Sequence, residues 1–507
     1  MGYFKREQLP PQYPGVLHKV ATPVRAAVVG GGLAGVAAAV ILAERGVQVT
    51  VFDPESELGG RARGWTDHFP DGSAHEMERG FHAFFRQYYN LRALFKRIDP
   101  QLKMLVPMAD YPVMAPDGTV EYFADVPHTP PFNVLTMVQQ SPNFKWRDVI
   151  KCDVRATLDM LAYDQEKIFK KYDNISAGAY LDKLNLPPKA RAMMFDVFAH
   201  SFFNPEREMS AAEMLQYFHF YFTHNPEGLT FDALHQPLHI AVWQPLRAYL
   251  EKLGARFAMG TAVHAVRKLG DRTWQIEHSA VAAGGDTGVA TADCVVLAAS
   301  ANAVRDIVSH SGAICDPRWR DDIDALRMTA PFAVLRLWFD QAMRAGRPVF
   351  AAVSGAGILD SIAIYDIVSD SNAHWAMKTG GSEVEIHAYA MPAGLTEAEI
   401  RQQMLAGLHA IYPETATMGI LHEQMLVSQD SPAFLPGSGA RRPRVHTPNP
   451  TLALAGDFTW IPMPSGLMER AVSSGILAAN CLLSHWNVRG EPLACVPRRG
   501  IFAAANR

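Results

Sequence analysis

Cysteine is scarce in this chain: Cys152, Cys294, Cys315, Cys481 and Cys495 are the five among 507 residues. The count is odd and no two form a CxxC pair, which argues against a disulfide framework, an iron–sulfur cluster or a zinc knuckle. No metal site is expected, and the usage suits a reducing cytoplasm. Long apolar runs are missing as well. No uninterrupted stretch of about 18 apolar residues occurs, so no transmembrane helix is expected. The opening MGYFKREQLPPQYPG lacks the apolar core of a signal peptide. Neither sign of charge dominates. Lys+Arg total 47 against Asp+Glu 51, a net charge of -4, so no global field draws nucleic acid. Repeats and low-complexity tracts are absent too.

What is present is an ordinary globular composition, 49% hydrophobic and 19% charged, on a chain long enough for two or three domains. From Arg25 the pattern runs strand, glycine turn, helix, strand. AAVVG is a short β run, LAGVAAAVILAERG a strong helix former closed by Gly46, and VQVTVFD a second β run. The middle of the chain differs, with a helix-like block around Leu158–Leu184 and the aromatic segment MLQYFHFYF. FAVLRLWFD and EVEIHAYAM read as later strands.

Gly30, Gly32 and Gly35 form GxGxxG between the first strand and the helix, and Asp53 ends the next strand. Gly30 permits the tight turn. Gly32 lets backbone approach a pyrophosphate, with Leu33 and Ala34 beside it. Gly35 lets helix and strand pack closely. The helix N-terminus offers free N–H groups to phosphates, and Asp53 offers acceptors to a ribose. These residues predict dinucleotide binding. They do not separate FAD from NAD, and S-adenosylmethionine enzymes use a related loop.

Gly59-Gly60-Arg61 follows closely and resembles the GGR motif of flavin amine oxidases and carotene desaturases. GARFAMGTAVHAV resembles that family's later FAD segment, with Val263 near the adenine. Leu454-Ala455-Gly456-Asp457 resembles its final FAD motif. There the resemblance gives Asp457 the ribityl chain or a phosphate, and Met468, on the following helix, the flavin edge. FHAFFRQYYNLR, Met468-Glu469-Arg470-Ala471 and the tail Val496-Pro497-Arg498-Arg499-Gly500 are similar to bacterial carotene desaturase/methyltransferases of the isorenieratene synthase type. This resemblance runs from about Val24 to Gly500.

The resemblance implies noncovalent FAD, since no cysteine sits beside the last motif. It implies an α/β fold, a Rossmann-type FAD-binding domain with an inserted α+β substrate domain. FAD-binding segments are expected at 24–106, 236–304 and 448–490, and substrate-domain segments at 107–235 and 305–447, with a tail to 507. The implied activity is desaturation and aromatisation of a β-ionone ring with an intramolecular methyl shift. The other classes are a phytoene- or ζ-carotene-type desaturase, an amine oxidase, a carotenoid carrier and a donor-dependent methyltransferase. The implied partners are an apolar polyene, a membrane surface contacted peripherally, and a quinone or oxygen as final electron acceptor.

His82, Glu78 and Glu469 are the candidate catalytic residues. His82 stands where the family's chain passes the flavin, and a histidine there can move a proton. Glu78 is a base in a dry pocket or an ion-pair partner of Arg79 or Arg86. Glu469 is a base or a helix N-terminal acid. Trp460 is a candidate aromatic wall. The run Tyr217–Phe222 is core packing, a polyene lining or a membrane-dipping surface, and PPFNVLTMVQQ is a candidate part of the same entrance.

Overall fold

The structure is a computed structural model. It describes residues 5–500 and 503, apart from 70–71, 194–199, 271–272, 283–284 and scattered positions between 124 and 151. Most of PPFNVLTMVQQ lies outside the described residues.

A five-stranded parallel sheet holds the first strands. Its order is Arg256–Met259, Gln48–Asp53, Arg25–Val29, Cys294–Leu297 and Leu452–Leu454. Val28, Val51, Val296 and Leu454 are fully buried, as an all-parallel sheet covered on both faces requires. Helix α1 (Leu33–Glu44) is apolar all round and buried up to its last residue. Helices α2 (Tyr89–Phe95) and α3 (Ala211–Phe218) follow, and α4 (Leu467–His485) closes the fold against α1. The contact is backbone-close, because a Cβ on Gly475 would stand 2.1 Å from the Ala34 carbonyl oxygen. The sheet therefore collects strands from residues 25–53, 256–297 and 452–454, and the chain between them builds the rest.

The second large sheet has seven strands, Ile420–Ser428, Phe332–Phe339, Ser382–Ala388, Leu359–Ile364, Phe350–Ala356, Val113–Met114 and Val120–Glu121, in that spatial order. One face packs an apolar cluster that includes Leu335, Ile386 and Met404, the last from the Glu397–Ile411 helix.

Two expectations change. The helix-like block around Leu158–Leu184 is three short helices, Val154–Leu161, Gln165–Tyr172 and Ala177–Leu184. Asp153, Asp164 and Ser176 cap them by accepting from Ala156 N, Lys167 N and Ala179 N. The aromatic run Tyr217–Phe222 is core, since none of its residues exceeds 7% exposure. It is no membrane-dipping surface, although Tyr221 and Phe222 border the cavity described next.

Candidate functional site

The glycine turn, the GGR turn and the start of α4 converge on one cavity of about 570 Å³. Gly30, Gly32, Leu33, Ala34, Asp53, Gly59, Gly60, Arg61, Val263, Gly456, Asp457 and Met468 all line it, as does His82. Gly35 stands behind the turn. A Cβ there would lie 1.9 Å from the Gly30 carbonyl oxygen, so its absence serves packing. Gly30 has φ +112°, and a Cβ would strike the Ala298 carbonyl at 2.6 Å. Gly32 is different. A Cβ there would meet no atom nearer than 3.7 Å, so protein packing does not demand glycine at that position. The space beside it belongs to the cavity, at the uncapped N-terminus of α1, whose first turn carries no acid. A phosphate would fit there.

The charged groups fit a dinucleotide. Asp53 Oδ2 accepts from Gly31 N at 2.6 Å and Oδ1 from Glu55 N at 2.9 Å, which fixes the carboxylate at the strand end. Burial raises its pKa while those two N–H groups lower it. Arg61 Nη2 donates to Asp457 Oδ1 at 2.6 Å, joining the second and last motifs across the cavity. The start of α4 is uncapped as well, and Leu467, at φ +46°, and Met468 face the cavity. No cysteine borders it among the described residues. A dinucleotide with a planar ring system fits this set: phosphates at Gly32 and Arg61, ribose at Asp53, and the ring toward α4.

Beyond those motifs the walls become aromatic, with Phe81, Phe85, Phe231, Phe332, Phe350 and Tyr389. Trp460 is not among them. It packs edge-on against Phe169 at 4.6 Å and supplies no wall.

Of the three candidate catalytic residues, His82 and Glu78 are neighbours and Glu469 lies apart. His82 borders the cavity, its Nδ1 buried without a hydrogen-bond partner, and burial pushes its pKa down to about 4. Glu78 lies behind His82, with Oε2 4.0 Å from that Nδ1. Its Oε1 accepts from Leu238 N at 2.7 Å. Burial pushes its carboxyl up to about 7, against the pull of Leu238 N–H and Arg336. Glu469 is not part of the cavity wall. It accepts from Asn90 N at 2.9 Å, Asn90 Nδ2 at 2.7 Å and Leu91 N at 3.0 Å, and so caps the first turn of α2. Asn90 in turn donates to Ala494 O at 2.9 Å, tying the tail to α2.

A buried charge cluster beside the cavity was not anticipated. Arg336 pairs with Glu385 at 2.5 Å and Glu383 at 3.2 Å, and His387 Nε2 lies 2.8 Å from Glu385 Oε1. Burial alone would raise Glu385, but Arg336 and His387 hold its carboxyl down to about 2. Burial pushes Glu383 up to about 7 despite Arg336. His387 reaches the cavity wall. The sequence did carry a signal. Arg336 interrupts an otherwise apolar run, and a buried guanidinium needs a carboxylate, which Glu383 and Glu385 supply from one face of EVEIHAYAM.

Residues 33–483 match the family described as flavin containing amine oxidoreductase. The chain is 41% identical over 481 residues to a carotenoid phi-ring synthase of Streptomyces griseus, covering 95% of this chain and 92% of that one. A carotenoid phi-ring synthase of Chlorobaculum tepidum is 29% identical, covering 96% and 92%. A zeta-carotene desaturase of Synechocystis is 23% identical, covering 91% and 98%. In fold the chain is similar to cyclohexylamine oxidase from Brevibacterium oxydans, with TM-score 0.65 and 15% identity over 92% of this chain and 99% of that one. The chain thus belongs to the flavin containing amine oxidoreductase family and is an FAD-dependent oxidoreductase.

Proposed function

We propose that this enzyme acts on carotenoids, desaturating and aromatising a β-ionone ring while one methyl group moves to the adjacent carbon. The observation that carries the reading is the 41% identity, across nearly the whole chain, to a carotenoid phi-ring synthase. The aromatic end of the cavity supports it, because an apolar ring gains by leaving water there. Bound noncovalently, FAD supplies the two-electron acceptor. The chain's own part is to hold the ring among Phe81, Phe231 and Phe350, exclude water, and take up protons at His82 and Glu78. Dry walls let a methyl group move between ring carbons without capture of the cation by water.

A linear-polyene desaturase is the second reading, favoured by the similarity to a zeta-carotene desaturase. Expression in a β-carotene-producing host separates the two. An aromatic product with unchanged carbon count and two further double bonds per converted ring is expected. β-Carotene recovered unaltered beside a desaturated linear precursor would favour the second reading.

Substrate access from a membrane surface belongs to the same proposal. Among the described residues no helix is long and apolar enough to cross a membrane. Tyr122 and Phe132 are 64% and 59% exposed, and they replace Tyr217–Phe222 as the residues to test for liposome binding.

A further inference from the structure

His82 stands between two cavities. It lines the large one and also a separate small one of about 30 Å³, whose polar walls include Glu76, Glu78, Arg336 and Gln236. A buried water needs about 10–15 Å³ and two or more polar partners, so the small cavity is roomy and polar enough for water. The unpartnered Nδ1 of His82 lies 4.0 Å from Glu78 Oε2, too far for a direct hydrogen bond and close enough for a bridging water. Glu78 Oε1 is already held by Leu238 N, which leaves Oε2 to that water. Farther out, Glu76 Oε2 lies 3.0 Å from His239 Nε2, and the Glu76 side chain is 23% exposed. Gln236, on the same cavity, is exposed.

Desaturation inside an apolar cavity releases protons that its aromatic walls cannot carry. We propose that the small cavity is the proton outlet of the enzyme: a proton leaving the substrate passes by His82 and water to Glu78, and then past Glu76 and His239 to solvent. This rests on the reading that the enzyme desaturates a carotenoid ring. In each desaturation two C–H bonds break and one C=C bond forms. One hydrogen leaves with both electrons for FAD, and the other leaves as the proton that enters the outlet. A neutral imidazole takes a proton on one nitrogen and releases one from the other, and burial keeps His82 neutral near pH 7. Glu78 is faced by Arg336, Glu385, Glu76 and His82, and His82 by Glu385, His387 and Arg79.

The test is anaerobic reduction of the flavin-loaded protein by β-carotene in liposomes, followed across pH by loss of oxidised-flavin absorbance. The wild-type rate should fall on the acid side with a midpoint about 7, as Glu78 protonates. Glu78→Gln keeps an acceptor for Leu238 N. It should slow reduction at least about tenfold and abolish the acid limb, and formate should restore rate to Glu78→Ala. Glu76→Gln removes a carboxylate that raises Glu78, so it should move the midpoint to lower pH. This last variant decides the matter if Glu78 variants fold poorly. Wild-type rates and an unmoved acid limb in these variants would overturn the outlet. A wild-type protein whose flavin stays oxidised with β-carotene would instead overturn the functional reading, and the outlet with it.

Discussion

Single residues divide here into those the fold needs and those the ligand needs. Gly35 has no room for a methyl group, whereas a Cβ on Gly32 would meet no protein atom nearer than 3.7 Å, room that suits a bound phosphate. Gly35→Ala should therefore lower soluble yield and melting temperature. Gly32→Val should give a folded protein with little flavin, read as the flavin-to-protein absorbance ratio. Full flavin occupancy in Gly32→Val would mean that the pyrophosphate lies elsewhere. His82 makes the complementary case. At equal flavin content His82→Ala should lose about 10²–10⁴-fold in product formation, the usual contribution of one proton-transfer group. A wild-type rate in that variant would reduce His82 to a packing residue. The glycines were legible because each has its own steric reason within one strand–turn–helix unit. The capping role of Glu469 was not, because its partners Asn90 and Leu91 lie 379 and 378 residues away in sequence.

At the scale of elements, the seven-stranded sheet was legible as strands but not as chemistry. Val384, Ile386 and Ala388 face its apolar cluster, while Glu383, Glu385 and His387 alternate with them on the other face. Alternation usually marks a solvated face, yet this one is buried, and Arg336 directly opposite Glu385, with His387 and Tyr365 beside it, makes that tolerable. Arg336→Leu should cost about 3–5 kcal/mol in unfolding free energy, because it strands two buried carboxylates. Adding Glu385→Leu should recover part of that loss. The same face predicts a pH dependence. Glu383 is raised in the folded protein to about 7 from an ordinary 4.5. Its contribution is fully present below the ordinary value and is lost as pH rises through about 7. Glu383→Gln keeps an acceptor for Arg336 and cannot ionise. Its melting temperature should therefore decline less than that of the wild type between about pH 5 and about pH 8. Parallel declines would place the titrating group elsewhere.

For the whole molecule, local motifs marked chain segments that line one cavity, and the tertiary fold determined what else meets there. Arg61 and Asp457 are 396 residues apart and pair at the cavity, so FAD held there would bridge segments from both ends of the sequence. The aromatic walls come from several elements with no shared spacing, and for that reason Trp460 could be mistaken for one of them. A ligand that joins distant segments should also stabilise their assembly. Binding to the folded state alone contributes about 2.7 kcal/mol when free ligand is a hundredfold above Kd. Acid precipitation should release all the flavin into the supernatant, since no cysteine borders the cavity among the described residues. Flavin-free protein prepared more gently should melt several degrees lower than the loaded form, and added FAD should restore the difference in a concentration-dependent way. Gly32→Val should melt like flavin-free wild type and show no response to FAD. Equal melting temperatures with and without FAD in the wild type would mean that the three FAD-lined segments are already locked together by protein contacts such as α1 against α4. Flavin retained in the acid pellet would instead reveal a covalent attachment.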